Sequence, residues 1–146
     1  LAWITGAAVM LGGALPDVRI LLLAAAYSAG AHGIMTLNDF KSIEGDRRMG
    51  VRSLPVQLGV DAAARVACAA MALPQALVAA LLLHWDRPVH AIAVGGLLAV
   101  QLAMMLRFLR APVQRALWYS GLGVVLYVAG MMVAAFAVRA FLVEGA

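Results

Sequence analysis

The sequence predicts an all-α fold, a polytopic transmembrane helical bundle, and three observations carry that prediction. Of its 146 residues, 65% are hydrophobic and only 12% are charged. Mean hydropathy is +0.96. The apolar residues fall in long runs of about the length that crosses a bilayer, roughly twenty residues rising 1.5 Å each. This balance excludes an ordinary soluble domain, a disordered chain and a fibrous one. No internal repeat or low-complexity linker divides the chain, so residues 1–146 read as one membrane domain.

About five spans are expected. The first apolar run, Leu1 to Leu15, is shorter than a full span and has neither an initiator Met nor a basic region ahead of it. It reads as the end of a helix that starts upstream, and the chain as a C-terminal fragment. Gly12-Gly13 and Pro16 close this run into a turn, and Asp17 is placed to cap the second span, about Val18 to Leu37, whose polar groups include Tyr27, Ser28, His32 and Thr36. Gly50, Pro55 and Gly59 then break any long helix, so Arg52 to Leu58 is expected as one short surface turn of helix.

Asp61 is a candidate cap for the third span, about Ala62 to Leu83, where Pro74 is expected to kink the helix and Arg65 to snorkel toward the headgroups. His84 to His90 forms the next turn, and Pro88 suits the first turn of the fourth span, about Val89 to Leu106. Gly95-Gly96 would let a neighbouring helix come close there. The fifth span, about Ala116 to Leu142, is long enough to tilt and starts with Trp118 and Tyr119. Cys68, the only cysteine, can build neither a disulfide nor a zinc site and reads as a buried thiol.

Charge sets the orientation. Five basic residues lie from Lys41 to Arg65 and three from Arg107 to Arg115, whereas the turns between hold Arg19 and Arg87. Alternation of spans places the two rich loops on one side, the cytoplasmic one by the positive-inside rule. The basic residues sit at the ends of apolar runs rather than in a stripe, so the net charge of +4 reflects topology and no nucleic-acid partner is expected.

The chemistry concentrates in the loop 38–61, which begins NDFKSIEGDRRMGVRSLPVQLG at Asn38. Asp39 and Asp46 are seven residues apart, so a continuous helix would put them on nearly the same face, with Glu44 close by. Lys41, Arg47, Arg48 and Arg52 are interleaved. Carboxylates and cations grouped at the end of an apolar helix suit a hard divalent metal bridging protein oxygens to a phosphate ester. A polar loop between spans also has this composition for topological reasons alone.

The run Asn38 to Asp46, followed by Arg47, Gly50 and Ser53-Leu-Pro55, resembles the second acidic motif of the intramembrane (UbiA-type) prenyltransferases. Its wording is similar to the chlorophyll and bacteriochlorophyll synthase branch. The resemblance implies a nine-span fold of which this chain is the C-terminal part, with an earlier acidic motif upstream. It implies prenyl transfer from geranylgeranyl or phytyl diphosphate to the propionate of a chlorophyllide or bacteriochlorophyllide. It also implies Mg²⁺ on Asp39 and Asp46 with Glu44 assisting, and diphosphate contacts from Lys41, Arg47, Arg48 and Arg52. His32, seven residues before Asp39, is a tentative contact to the tetrapyrrole. Ser42 stands where quinone-type and lipid-type relatives often have another Asp, which favours the chlorophyll branch. The expected setting is the lipid bilayer of a bacterial inner, photosynthetic membrane, with pigment-proteins as further partners. The competing readings are a prenyltransferase of a quinone precursor and, from another class, a transporter or scaffold subunit with a charged gate loop.

Overall fold

The computed structural model describes Gly12 and residues 17–144, with side chains as far as Arg139. The described residues form six α-helices: α1 (Val18–Asp39), α2 (Ile43–Met49), α3 (Leu54–Leu58), α4 (Val60–His84), α5 (Pro88–Leu109) and α6 (Pro112–Glu144). Four of them, α1, α4, α5 and the Pro112–Arg139 part of α6, are long and apolar enough to cross a membrane. These are the second to fifth expected spans; the first, Leu1 to Leu15, lies outside the described residues apart from Gly12. Leu73, Val89, Ile92, Leu106, Leu117 and Phe136 are exposed on the outer faces, an arrangement that hydrocarbon favours and water penalises. The protein is an integral membrane protein.

Sequence features start and stop the helices as local rules require. The Asp17 carboxylate accepts from the Arg19 backbone N–H at 2.7 Å and caps α1. Pro88 opens α5 at its first turn, where a missing N–H costs nothing. Asp61 falls in the first turn of α4 instead of capping it, because the backbone turns at Gly59 (φ 81°) and the helix is already under way at Val60. Its carboxylate still faces the positive end of the helix dipole. α4 continues through Pro74 to His84.

The four long helices close on one another, with α1 against α4 and α6, α4 against α5, and α5 against α6. On α5 the buried residues are Ala91, Val94, Leu98, Gln101, Met105 and Phe108, alternating steps of three and four that keep one seam turned inward as in coiled-coil packing. That seam leaves Gly95 and Gly96 on the other side, where an added Cβ would meet nothing within 4 Å. The close approach expected there occurs on α1. A Cβ on Gly33 would sit 2.6 Å from the Ala67 carbonyl oxygen of α4, and one on Gly30 would collide with the Tyr127 hydroxyl of α6. Small residues let these backbones approach where lipid offers no hydrophobic drive for helix association.

Polar groups inside the bundle are tied together. The Gln75 side-chain N–H donates to Gln101 Oε1 at 2.7 Å and to the Met71 carbonyl at 3.3 Å, and Gln101 donates to the Tyr119 hydroxyl at 3.2 Å. The Tyr127 hydroxyl donates to the Tyr27 carbonyl at 2.9 Å, and the two rings meet edge to face at 5.3 Å. Tyr27, Tyr119 and Tyr127 thus serve packing and hydrogen bonding between helices.

Candidate functional site

The acidic run sits where α1 gives way to two short helices. α1 ends at Asp39, and the chain turns tightly as the Lys41 N–H donates to the Asn38 carbonyl and the Ser42 N–H to the Asp39 carbonyl, each at 3.1 Å. α2 then starts at Ile43. The continuous helix that would align Asp39 with Asp46 is thus absent, although Asp39 stays close enough to Asp46 to feel its charge.

Phe40 fixes this turn to the bundle. Its ring is buried, 4% exposed, and meets Phe108 of α5 edge to face at 5.8 Å, while Phe108 stacks on Tyr119 of α6 at 5.1 Å. The apolar neighbour of Asp39 is thereby held against α5 and α6, which limits how far the carboxylate next to it can wander.

Asp39 is half-buried and opens onto a cleft of about 430 Å³ lined by His32, Met35, Thr36, Asp39, Arg52, Ser53, Leu54, Val66 and Ala70. The Leu54 backbone N–H, at the start of α3, lies beside the Asp39 carboxylate. One wall is α1, the opposite wall α4, and Arg52, Ser53 and Leu54 close the end between them. Asp46 is 7% exposed and is held by the Ser42 hydroxyl, which donates to Oδ2 at 3.1 Å. The Ser42 hydroxyl thereby orients the Asp46 carboxylate.

The remaining predicted residues divide. Arg52 and His32 share the cleft with Asp39. Glu44 and Arg48 form an ion pair at 3.2 Å with both side chains mostly in solvent, and Lys41 donates to the Asn38 side chain at 3.2 Å. Arg47 is exposed. None of these four lines the cleft. Among the described residues, no group of three or more His, Cys, Asp or Glu side chains gathers closely enough to hold a metal ion. Of the two carboxylates expected to hold a cation, Asp39 lines the cleft, while Asp46 is buried under the Ser42 hydroxyl and is not part of its lining; one or two carboxylates are as many as Mg²⁺ commonly takes from a protein, water and substrate phosphate filling the rest of its octahedron.

Sequence reading missed the Leu54 N–H, the lining residues Met35, Thr36, Val66 and Ala70, and the Ser53 hydroxyl, which is buried without a protein partner at the cleft. The signal for Ser53 was present: a serine before Leu-Pro is a helix-start signature. Nothing local in the sequence reports which α4 residues face α1.

The opposite end of the bundle carries a second cavity, about 540 Å³, lined by Arg19, His84, Trp85, Asp86 and Arg87. It holds a single carboxylate and none of the acidic run.

Comparison with known proteins agrees with this picture. Residues 1–121 match the UbiA prenyltransferase family. The chain is 56% identical over 139 residues to the bacteriochlorophyll synthase 33 kDa chain of Cereibacter sphaeroides, covering 95% of this chain and 46% of that protein. It is 46% identical over 140 residues to the bacteriochlorophyll synthase 34 kDa chain of Chloroflexus aurantiacus, covering 96% of this chain and 44% of that one. To the chloroplastic chlorophyll synthase of Oryza sativa subsp. japonica it is 36% identical over 138 residues, covering 94% of this chain and 36% of that protein. The chain thus spans less than half the length of each of these relatives. No solved structure gives a significant match.

Proposed function

Because this chain belongs to the UbiA prenyltransferase family, we propose that it carries the second acidic half-site of a bacteriochlorophyll or chlorophyll synthase. The observation that carries this reading is the junction of Asp39 and Arg52 in one intramembrane cleft, with Asp46 held beside them. The relatives named above bear the corresponding names.

In the proposed reaction a propionate oxygen of the chlorophyllide forms a bond to C1 of the allylic prenyl group while the C1–O bond to diphosphate breaks, and diphosphate departs with the electron pair. The propionate is already ionised near neutral pH, with an ordinary carboxyl pKa of about 4 to 5, so no general base is required. Bound Mg²⁺ would supply positive charge to the departing phosphate oxygens. Asp39 and Asp46 are the residues to hold it. Two like charges kept close, one half-buried and one buried, repel until a cation joins them, so the protein is preorganised for that cation.

Arg52, in the same cleft, is placed to grip phosphate oxygens by its planar fork. The Leu54 N–H lies beside the Asp39 carboxylate, and the Ser42 hydroxyl orients that of Asp46. His32, about two turns deeper on α1, lines the same cleft and is the proposed contact to the tetrapyrrole. Lys41, Arg47 and Arg48 form an outer basic shell that draws in the anionic donor, and Glu44 tempers that shell through Arg48. The cleft end of the bundle is proposed to face the cytoplasm of a bacterial inner membrane, where a prenyl diphosphate arrives.

The test uses the protein in its full natural length, reconstituted in lipid with Mg²⁺, geranylgeranyl diphosphate and bacteriochlorophyllide. Esterified pigment is the expected product, and phytyl diphosphate and chlorophyllide in parallel assign donor and acceptor. Prenylation of an aromatic quinone precursor with no pigment ester would replace this reading by the quinone branch.

A further inference from the structure

Two buried oxygens deep in the bundle point at the same small space. The Tyr27 hydroxyl of α1 and the Gln75 Oε1 of α4 have no protein partner, in residues only 6% and 0% exposed. Both converge on Gly130 of α6, where an added Cβ would lie 3.0 Å from Gln75 Oε1 and 3.6 Å from the Tyr27 hydroxyl. The orientation of the Gln75 amide is fixed. Its nitrogen donates to both the Met71 carbonyl and Gln101 Oε1, and turning the amide over would set an oxygen against two acceptors. The oxygen is left facing Gly130.

An unmade hydrogen bond is expensive here, since neither lipid nor the surrounding side chains can replace it. The space beside Gly130 is bounded by a hydroxyl that must donate and an amide oxygen that must accept. A group that accepts from one and donates to the other satisfies both, and Gly130 puts no side chain between them; a Cβ there would press on Gln75 Oε1.

We infer that the Gly130 space is a binding site for one buried water molecule, which accepts from the Tyr27 hydroxyl and donates to Gln75 Oε1. The water completes a polar chain from α1 through Gln75 of α4 and Gln101 of α5 to Tyr119 of α6, so that all four long helices are joined by hydrogen bonds. Tyr27 lies twelve residues before Asp39, about 18 Å along α1, and the link fixes the helix that carries the cleft. Buried waters of this kind make two to four hydrogen bonds and are costly to remove.

The experiment is infrared spectroscopy of the full-length protein in nanodiscs, exchanged between H₂¹⁶O and H₂¹⁸O, with a high-resolution structure of the same sample. An isotope-sensitive O–H band that disappears in both Gly130→Ala and Tyr27→Phe, with density bridging Tyr27 and Gln75, is the expected result. Gly130→Ala, which fills the space, should also lower Tm by about 2 to 4 °C. A wild-type structure in which the Tyr27 hydroxyl bonds directly to Gln75 Oε1, with no isotope-sensitive band, overturns the inference. Because that outcome is read on the wild-type protein, it stands even if a variant fails to fold.

Discussion

Two loops at opposite ends of the bundle solve the same problem, reversing an apolar chain at a membrane surface, in opposite ways. Between α4 and α5 three residues suffice, Trp85, Asp86 and Arg87, with Asp86 at φ 54°. Between α1 and α4 the chain spends Phe40 to Gly59 on two short helices, far more than the turn needs. The larger cavity, about 540 Å³, lies at the economical end, and the smaller one, about 430 Å³, at the elaborate end. Volume therefore does not mark the site. What distinguishes the elaborate end is its acidic run: Asp39 opens onto the cleft with Arg52 in the same lining, and Asp46 is buried under the Ser42 hydroxyl. A loop that only reversed the chain would have no reason to bury a carboxylate.

The largest effect expected from breaking this contrast comes from the carboxylates. Asp39→Asn and Asp46→Asn in the full-length enzyme keep shape and remove charge. Each should lower kcat by about 10² to 10³, the usual loss for one preorganised electrostatic contact, and raise the Mg²⁺ concentration needed for half-maximal rate. Pigment esterification titrated with Mg²⁺ reads both. Near-normal rates with unchanged metal dependence would return the loop to a charged membrane anchor.

How much of this could be read beforehand follows from what each feature depends on. Helix positions depend on local hydropathy and on single residues such as Asp17 and Pro88, and these were legible. The acidic residues were legible because their wording resembles a known motif. Gly95-Gly96 misled because small residues mark a close helix contact only when the seam of their helix includes them, and the seam of α5 passes through Val94 and Leu98. Spacing put Asp39 and Asp46 on one face of a continuous helix, whereas a tight turn, with Phe40 held against Phe108, replaces that helix. Side-chain partners from distant segments, such as the Leu54 N–H at Asp39, leave no periodic trace.

An intermediate effect separates the inner cation from the outer ones. Arg52 lines the cleft, whereas Arg48 is bound to Glu44 in solvent. Arg52→Ala should raise the KM for the prenyl diphosphate about ten- to a hundred-fold, the equivalent of losing one hydrogen bond to a charged group. Arg48→Ala should change it about five-fold or less, because an exposed pair contributes at most about 1 kcal/mol. Initial rates against donor concentration at saturating pigment make the comparison, and equal effects of the two substitutions would mean that the diphosphate docks on the outer shell.

The smallest effect is expected at the far end, and it tests whether that end is only a turn. Asp86 occupies the left-handed backbone region, where glycine fits without strain and aspartate is tolerated. Asp86→Gly should relieve a little strain in the folded state while giving the unfolded chain more freedom, two contributions of opposite sign and each below about 1 kcal/mol. Tm should accordingly move by no more than about 2 °C. The substitution also removes the one carboxylate lining the larger cavity, so any ligand that this cavity serves in turnover should reveal itself. With the cleft at the other end of α4, kcat and both KM values should stay within about two-fold of wild type. A clear kinetic change without a matching loss of stability would mean that the economical end takes part in the reaction, and the division of labour between the two ends would have to be drawn again.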